Sequence, residues 1–131
     1  MREIKFKIWA DNKFYDKCLV GNTNNSEDDK WTCPLVWLED RNEWVHCDNG
    51  IICQYTGLKD KNGKEIYEGD IVAEHGHYYN SDKIVYQKIQ WKENYSCWLK
   101  GEYERLTPKN VEKYKIEVVG NIYENSELLK E

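Results

Sequence analysis

Gln54-Tyr55-Thr56-Gly57-Leu58-Lys59-Asp60-Lys61-Asn62-Gly63-Lys64-Glu65-Ile66-Tyr67-Glu68-Gly69-Asp70-Ile71-Val72 reads as two short strands around a tight reversal, with a second bend into a third strand. Gln54-Tyr55-Thr56 has the aromatic and β-branched content that suits a pleated, half-buried surface. Asn62-Gly63 enters positive φ at low cost and predicts a type I′ turn. Lys59, Asp60, Lys61 and Lys64 keep that turn in water. Ile66-Tyr67 starts the return strand. Glu68-Gly69-Asp70 bends the chain again, with Gly69 supplying a backbone angle closed to most residues. Gly57, Asn62, Gly63, Gly69 and Asp70 are therefore expected to shape the turns.

Outward from this stretch the same style continues. Ile4, Phe6 and Ile8 alternate with Lys5, Lys7 and Trp9, which predicts a first strand that buries the Ile-Phe-Ile side. Asp11-Asn12-Lys13 is a turn, and Phe14 to Val20 returns as a second strand. Residues 21–30 are polar and without periodicity, so they read as an exposed loop. Leu35–Leu38 and Trp44–His46 flank Glu39–Asn42 as a hairpin. Asp48-Asn49-Gly50 turns the chain toward Ile51-Ile52-Cys53. Strands follow at Asp70 to His75, Lys83 to Trp91 and Tyr95 to Leu99. Thr107-Pro108 opens a helical turn with proline at a first-turn position. Ile116 to Tyr123 is the last strand, with Gly120 at a bulge or close contact. Asn125 is placed to cap a short terminal helix through Leu129.

Turn signals every 8–12 residues with only two prolines predict a mainly β chain: a small SH3-like barrel or sandwich built from hairpins, with an amino-terminal β layer and a short carboxy-terminal helix. The whole chain, 1–131, is expected to form a single domain, with sub-layers at 1–50 and 51–131 and no linker composition between them. No internal repeat is convincing.

The central stretch from Tyr55 to Val72 resembles the signature of the YopX-like phage and prophage proteins. Two further segments share the resemblance. Met1-Arg2-Glu3-Ile4-Lys5-Phe6-Lys7-Ile8-Trp9 is similar to that family's opening strand. Glu117-Val118-Val119-Gly120-Asn121-Ile122-Tyr123-Glu124-Asn125, with Leu128-Leu129, is similar to its closing motif. The resemblance implies a small, mostly β protein encoded by a phage or prophage, with no activity established for the family, and self-association as a family trait. Residues 11–53 and 73–116 carry no matching motif.

Composition bounds the function classes. The net charge is −5, with 7 basic and 10 acidic residues in 1–50 and 12 and 14 in 51–131. Without a basic tail or lysine-rich run, nonspecific nucleic-acid binding is disfavoured, since it rests on neutralising phosphates. No run approaches the ~20 apolar residues that span a bilayer. The amino end reads as a strand, so no signal peptide is expected. The expected compartment is the cytoplasm of a host bacterial cell. Cys18, Cys33, Cys47, Cys53 and Cys97 are odd in number, which in a reducing compartment favours buried thiols.

Reactive constellations are sparse. His75-Gly76-His77 could present two imidazoles on one strand face, with Glu74 or His46 joining, but Gly76 signals a turn and spacing fixes no third ligand. His46 and Cys47 are adjacent, and on a strand they point to opposite faces, which disfavours an activated thiolate. No phosphate loop, dinucleotide fingerprint or nucleophile elbow occurs. The sequence names no catalytic, cofactor-binding or metal-binding residue, and no cofactor.

Six tryptophans and ten tyrosines exceed what one small core demands. They read either as a ring-rich core or as rings lining an interface, where tryptophan and tyrosine bury large area at little rotamer cost. Trp31, Trp37, Tyr78, Tyr79 and Trp98 are the interface candidates. The expectation is a non-catalytic module that binds an unidentified phage or host protein, or a second copy of itself. One alternative is a nucleic-acid-binding SH3-like or OB-like module using Lys59, Lys61, Lys64 and Lys83. Another is an acidic inhibitor mimicking nucleic acid, which requires Glu27, Asp28, Asp29, Glu39 and Asp40 on one face.

Overall fold

A computed structural model describes residues 3–20, 34–47, 49–75, 83–102 and 104–130. The chain is mainly β, with a curled half-barrel sheet and one small helix. Its contacts divide it into two units, Ile4–Gln54 and Tyr55–Glu131 with the extreme amino end.

In the first unit, β1 (Phe6–Ala10) pairs antiparallel with β2 (Lys13–Tyr15). The two-residue reversal between them has positive φ at both Asp11 and Asn12 (52° and 63°). That is the backbone of a type I′ hairpin turn, whose twist matches the flanking strands. The predicted second strand is interrupted. Lys13–Tyr15 pairs with β1, whereas Cys18–Leu19 forms β3 and pairs with β4 (Leu35–Leu38). One stretch of chain thus serves two sheets, and Asp16-Lys17 is the corner. β5 (Glu43–His46) completes the expected hairpin with β4, and Asn42 supplies the left-handed residue of its loop (φ 53°). Ile8, Ala10 and Val36 form the core here, with Tyr15, Cys18, Leu38, Val45 and Ile52 packed around them. Ile4 does not join them: it precedes β1 and is 71% exposed, so the buried side is Ile8 with Ala10.

β6 (Ile51–Lys59) runs from one unit into the other. Its early residues pair with β1, and its later ones pair with β7 (Glu65–Tyr67). β6 advances from Tyr55 to Lys59 while β7 moves only from Tyr67 to Glu65, so extra residues are absorbed around Gly57, at φ 88°. The Thr56 hydroxyl holds this bulge by donating to the Ile66 carbonyl at 2.7 Å and accepting from the Leu58 N–H at 3.2 Å.

The Asn62-Gly63 turn differs from the type I′ expectation. Gly63 has φ 83°, and Asn62 is not in the left-handed region. The Gly63 N–H donates to the Asp60 carbonyl and the Asp60 N–H to the Lys64 carbonyl. This is the three-residue loop in which a type I turn is followed by a left-handed glycine bulge. Asp60 decides the outcome. Its Oδ1 accepts from the Asn62 and Lys64 N–H groups at 2.8 and 2.9 Å, and its Oδ2 accepts from the Val118 N–H at 2.8 Å.

The second unit is built on a five-stranded sheet in the order β11-β10-β9-β8-β12. Its strands are β8 (Asp70–Glu74), β9 (Val85–Lys92), β10 (Cys97–Lys100), β11 (Glu104–Arg105) and β12 (Glu117–Asn121). β8 lies between β9 and β12 and is buried along its whole length. Gly69 (φ 88°) bends the chain into it, and the Asp70 carboxylate accepts from the Tyr67 N–H at 2.8 Å. Gly120 marks the expected bulge in β12, where a Cβ would meet Asn125 Oδ1 at 2.5 Å. Tyr95 lies outside β10, in a 3-10 turn over Glu93–Tyr95, and is 64% exposed. α1 (Pro108–Lys113) starts as expected: Thr107 Oγ1 accepts from the Asn110 N–H at 3.1 Å. The terminal 3-10 turn over Ser126–Leu129 is not capped by the Asn125 side chain, which instead accepts from the Asn121 N–H at 3.2 Å.

The core of this unit joins Ile66, Val72, Ile89, Trp98, Leu106 and Ile116. Trp98, read as an interface candidate, is therefore a core residue at 7% exposure, with Trp91 packed edge-on at 5.1 Å. The polar loop at 21–30, Trp31, Cys33, Gly76, His77, Tyr78 and Tyr79 lie outside the described residues.

Candidate partner-binding face of the amino-terminal unit

Strand alternation sorts the side chains of the β3-β4-β5 sheet. Val36 and Val45 are paired in register and belong to the core side. Trp37 and Trp44, also paired in register, must point the other way. Their rings meet edge-on with centroids 5.3 Å apart. Trp44 is 39% exposed, and Leu19, which pairs with Leu35, is 52% exposed. The ammonium of Lys17 lies 4.1 Å over the Trp37 ring and 5.9 Å from that of Trp44. Lys17 gets there from the corner between β2 and β3, where its carbonyl also accepts from the Trp37 N–H at 3.1 Å.

Beside this pair is an open depression of about 680 Å³ lined by Phe14, Tyr15 and Trp37, with Lys13, Asp40 and Arg41 at its margin. Lys13 sits 4.6 Å over the Tyr15 ring, and Lys7 sits 4.1 Å over Phe14. Phe14 packs on Trp9 at 4.8 Å. Aromatic pairs of this kind contribute ~0.5–1.5 kcal/mol beyond area burial, and each exposed cation over a ring ~0.5–1 kcal/mol. The rings are thus held in place before any partner arrives. The groove offers flat apolar area with both signs of charge around it. It has the components of a polar-rimmed hot spot.

Of the interface candidates read from sequence, Trp37 lies on this face and Trp98 does not. Sequence reasoning missed Phe14, Lys17 and Trp44 as parts of it. Trp44 could have been found, because aligning Leu35–Leu38 with Glu43–His46 across a four-residue loop puts Trp37 opposite Trp44 and out of phase with Val36 and Val45. Lys17 carries no such signal, since its position depends on the strand break at Asp16. Glu39 and Asp40 share the groove with lysines and an arginine, so the acidic residues described here do not form a single-sign face. Lys61 makes an ion pair with Glu117 at 3.4 Å, so part of the lysine set around the turn is neutralised.

Titratable groups gather elsewhere as well, in a different arrangement. Lys100 is fully buried. Its ammonium is ion-paired with the equally buried Glu74 at 2.7 Å, donates a hydrogen bond to Glu104 Oε2 at 2.7 Å, and lies 4.3 Å over the Tyr114 ring. The neighbouring His75 N–H donates to the Tyr114 carbonyl at 2.7 Å. This cluster ties β8, β10, β11 and the end of α1 together, and a buried ion-paired cluster of this kind acts as a structural clasp. Among the described residues, no group of three or more His, Cys, Asp or Glu is placed to hold a metal ion. Cys18, Cys47, Cys53 and Cys97 carry reduced thiols. Burial, with the Asp16 carboxylate as the smaller effect, pushes the Cys18 thiol above its ordinary range. It stays protonated and donates to the Phe6 carbonyl at 3.4 Å. No described helix is long and apolar enough to cross a membrane.

The architecture defines a mainly β protein whose signature stretch folds as a bulged hairpin leading into a buried interior strand. The sequence model described as "YopX protein" matches residues 5–130, and the chain belongs to that family. Two solved structures are similar along nearly the whole chain. Protein EF1440 from Enterococcus faecalis is 22% identical, with a TM-score of 0.67 over 99% of this chain and 100% of its own. Protein yopX from Bacillus subtilis is 18% identical, with a TM-score of 0.65 over 99% and 100%. At these identities the likeness is one of fold. The comparison with curated proteins gives no match.

Proposed function

We propose that this is a phage-encoded accessory protein of the bacterial cytoplasm that works by binding a protein partner and not by catalysis. The observation that carries the reading is the Trp37–Trp44 pair, edge-on at 5.3 Å, under Lys17 and beside a mixed-charge groove. Held rings lose little conformational freedom on association, which is what makes tryptophan effective in hot spots. The resemblance of the Tyr55–Val72 stretch to phage and prophage proteins supports the origin, and the mild net charge of −5 favours a protein over a nucleic acid as partner.

The test is quantitative capture from a bacterial host lysate with three tagged chains in parallel: the parent, Trp37→Ala with Trp44→Ala, and Ile84→Ala as an exposed apolar control in the other unit. The reading expects a protein retained by the parent and the control and lost from the double variant. Equal retention by all three chains contradicts it. Self-association through the same face is a second reading, resting on exposed Leu19 and Trp44. Light scattering on a concentration series expects a dimer that dissociates in the double variant, and a monomer throughout removes the reading.

A further inference from the structure

The outer side of the β9-β10-β11 sheet holds a second concavity, of about 490 Å³, in the carboxy-terminal unit. The pairing register explains its composition. Leu99 pairs with Gln90 on one side and Arg105 on the other, and Cys97 pairs with Lys92. Alternation places these five side chains on one face, with core-forming Trp98 and Ile89 on the other. Leu99 is the floor at 2% exposure, and Gln90 and Cys97 are half-buried walls. Lys92, Tyr95, Glu102 and Arg105 stand at the rim, all exposed. The Gln90 amide donates to the Gly101 carbonyl at 2.6 Å, which fixes that wall.

Two features give the cavity a ligand preference. Neither Lys92 nor Arg105 is engaged in an ion pair among the described residues. A guanidinium and an ammonium over an apolar floor suit one anionic group, with arginine able to bind a phosphate in a bidentate fork. Tyr95, 64% exposed on the Glu93–Tyr95 turn, offers a ring face to a planar body. Glu102 limits the choice: a second anionic group near it is repelled, whereas hydroxyl or amino donors are accepted. The volume lies within the range of small-ligand sites, ~300–1,000 Å³.

We propose that this cavity binds a small ligand with one phosphate and a flat, donor-bearing ring, the chemistry of a nucleoside monophosphate. The site is distinct from the tryptophan face and does not depend on it.

The probe is adenosine monophosphate, titrated into the isotope-labelled full chain and followed by backbone amide shifts, with inorganic phosphate and adenosine as separate arms. The expected result is saturable movement confined to Gln90, Cys97, Leu99 and Glu102, with each half-ligand binding at least ~10-fold more weakly than the whole. Arg105→Gln and Lys92→Gln are each expected to weaken binding by ~10-fold, and Lys109→Gln, an exposed charge on α1, to leave it unchanged. Amide spectra of the unliganded variants establish that they are folded. No saturable movement at millimolar probe overturns the proposal. So does equal binding of phosphate alone, or binding that survives loss of both cations.

Discussion

At the scale of single residues, Asp60 does most to turn the signature sequence into structure. One carboxylate receives three backbone N–H groups, two inside its own turn and one from β12. Asp60→Ala leaves those donors short of partners at a mostly buried position, and urea unfolding is expected to show a loss of ~2–4 kcal/mol. The glycines are expected to rank by surroundings. Gly63→Ala meets no atom within 4 Å and carries only the left-handed penalty of ~1–2 kcal/mol. Gly69→Ala adds contact with the Tyr123 ring at 3.2 Å, so its melting temperature should fall further than that of Gly63→Ala. The reverse order would contradict the turn geometry. Cys18 makes a pH prediction. Its thiol is raised in the folded chain, so its contribution is fully present below the ordinary thiol value of ~8.5 and fades as pH rises through the folded value. Stability measured from pH 7 to 10 should fall less steeply in Cys18→Ala than in the parent.

At the scale of elements, α1 ends in a way the sequence does not advertise. The Ile116 N–H donates to the Val111 carbonyl at 3.0 Å, and Lys115 sits at φ 50° where a glycine is usual. Lys115→Gly is expected to raise stability by ~0.5–1 kcal/mol, and Thr107→Ala, which removes the N-terminal cap, to lower it by ~1 kcal/mol, both read by chemical denaturation. The clasp around Lys100 has a distinct signature. Lys100→Met alone strands the buried Glu74 charge and should cost ~3–5 kcal/mol, whereas Lys100→Met with Glu74→Leu should recover most of that loss. A double variant as unstable as the single one would mean the pair stabilises beyond its burial cost. None of this clasp was legible in the sequence. Glu74 ends a strand buried on both faces, where alternation carries no information. Lys100 looks like any lysine at a strand end. The hairpin strands, the turn positions and the Thr107-Pro108 helix start were legible, because each depends on local backbone preference. The turn type at Asn62-Gly63 was not, because Asp60 reaches across to Val118 and selects a wider loop.

At the scale of the whole molecule, the fold class followed from frequent turns and alternating strands, and the family from three ordered segments. The candidate site was only half legible. Trp37 was named, but an aromatic count cannot separate it from Trp98, since the difference is which side of a sheet each ring takes. That side is set by what each ring packs against: Trp44 across the local β4-β5 hairpin for one, Leu106 and Ile116 in the core for the other. The central claim is that the Trp37–Trp44 face is the surface through which this protein engages a protein partner. Its most direct test is calorimetric titration of the captured, purified partner into the parent chain and into Trp37→Ala with Trp44→Ala, after melting curves establish that both chains are folded. The account predicts a loss of at least ~2 kcal/mol of binding free energy, a ~30-fold weaker dissociation constant. An unchanged dissociation constant in the folded double variant would contradict it.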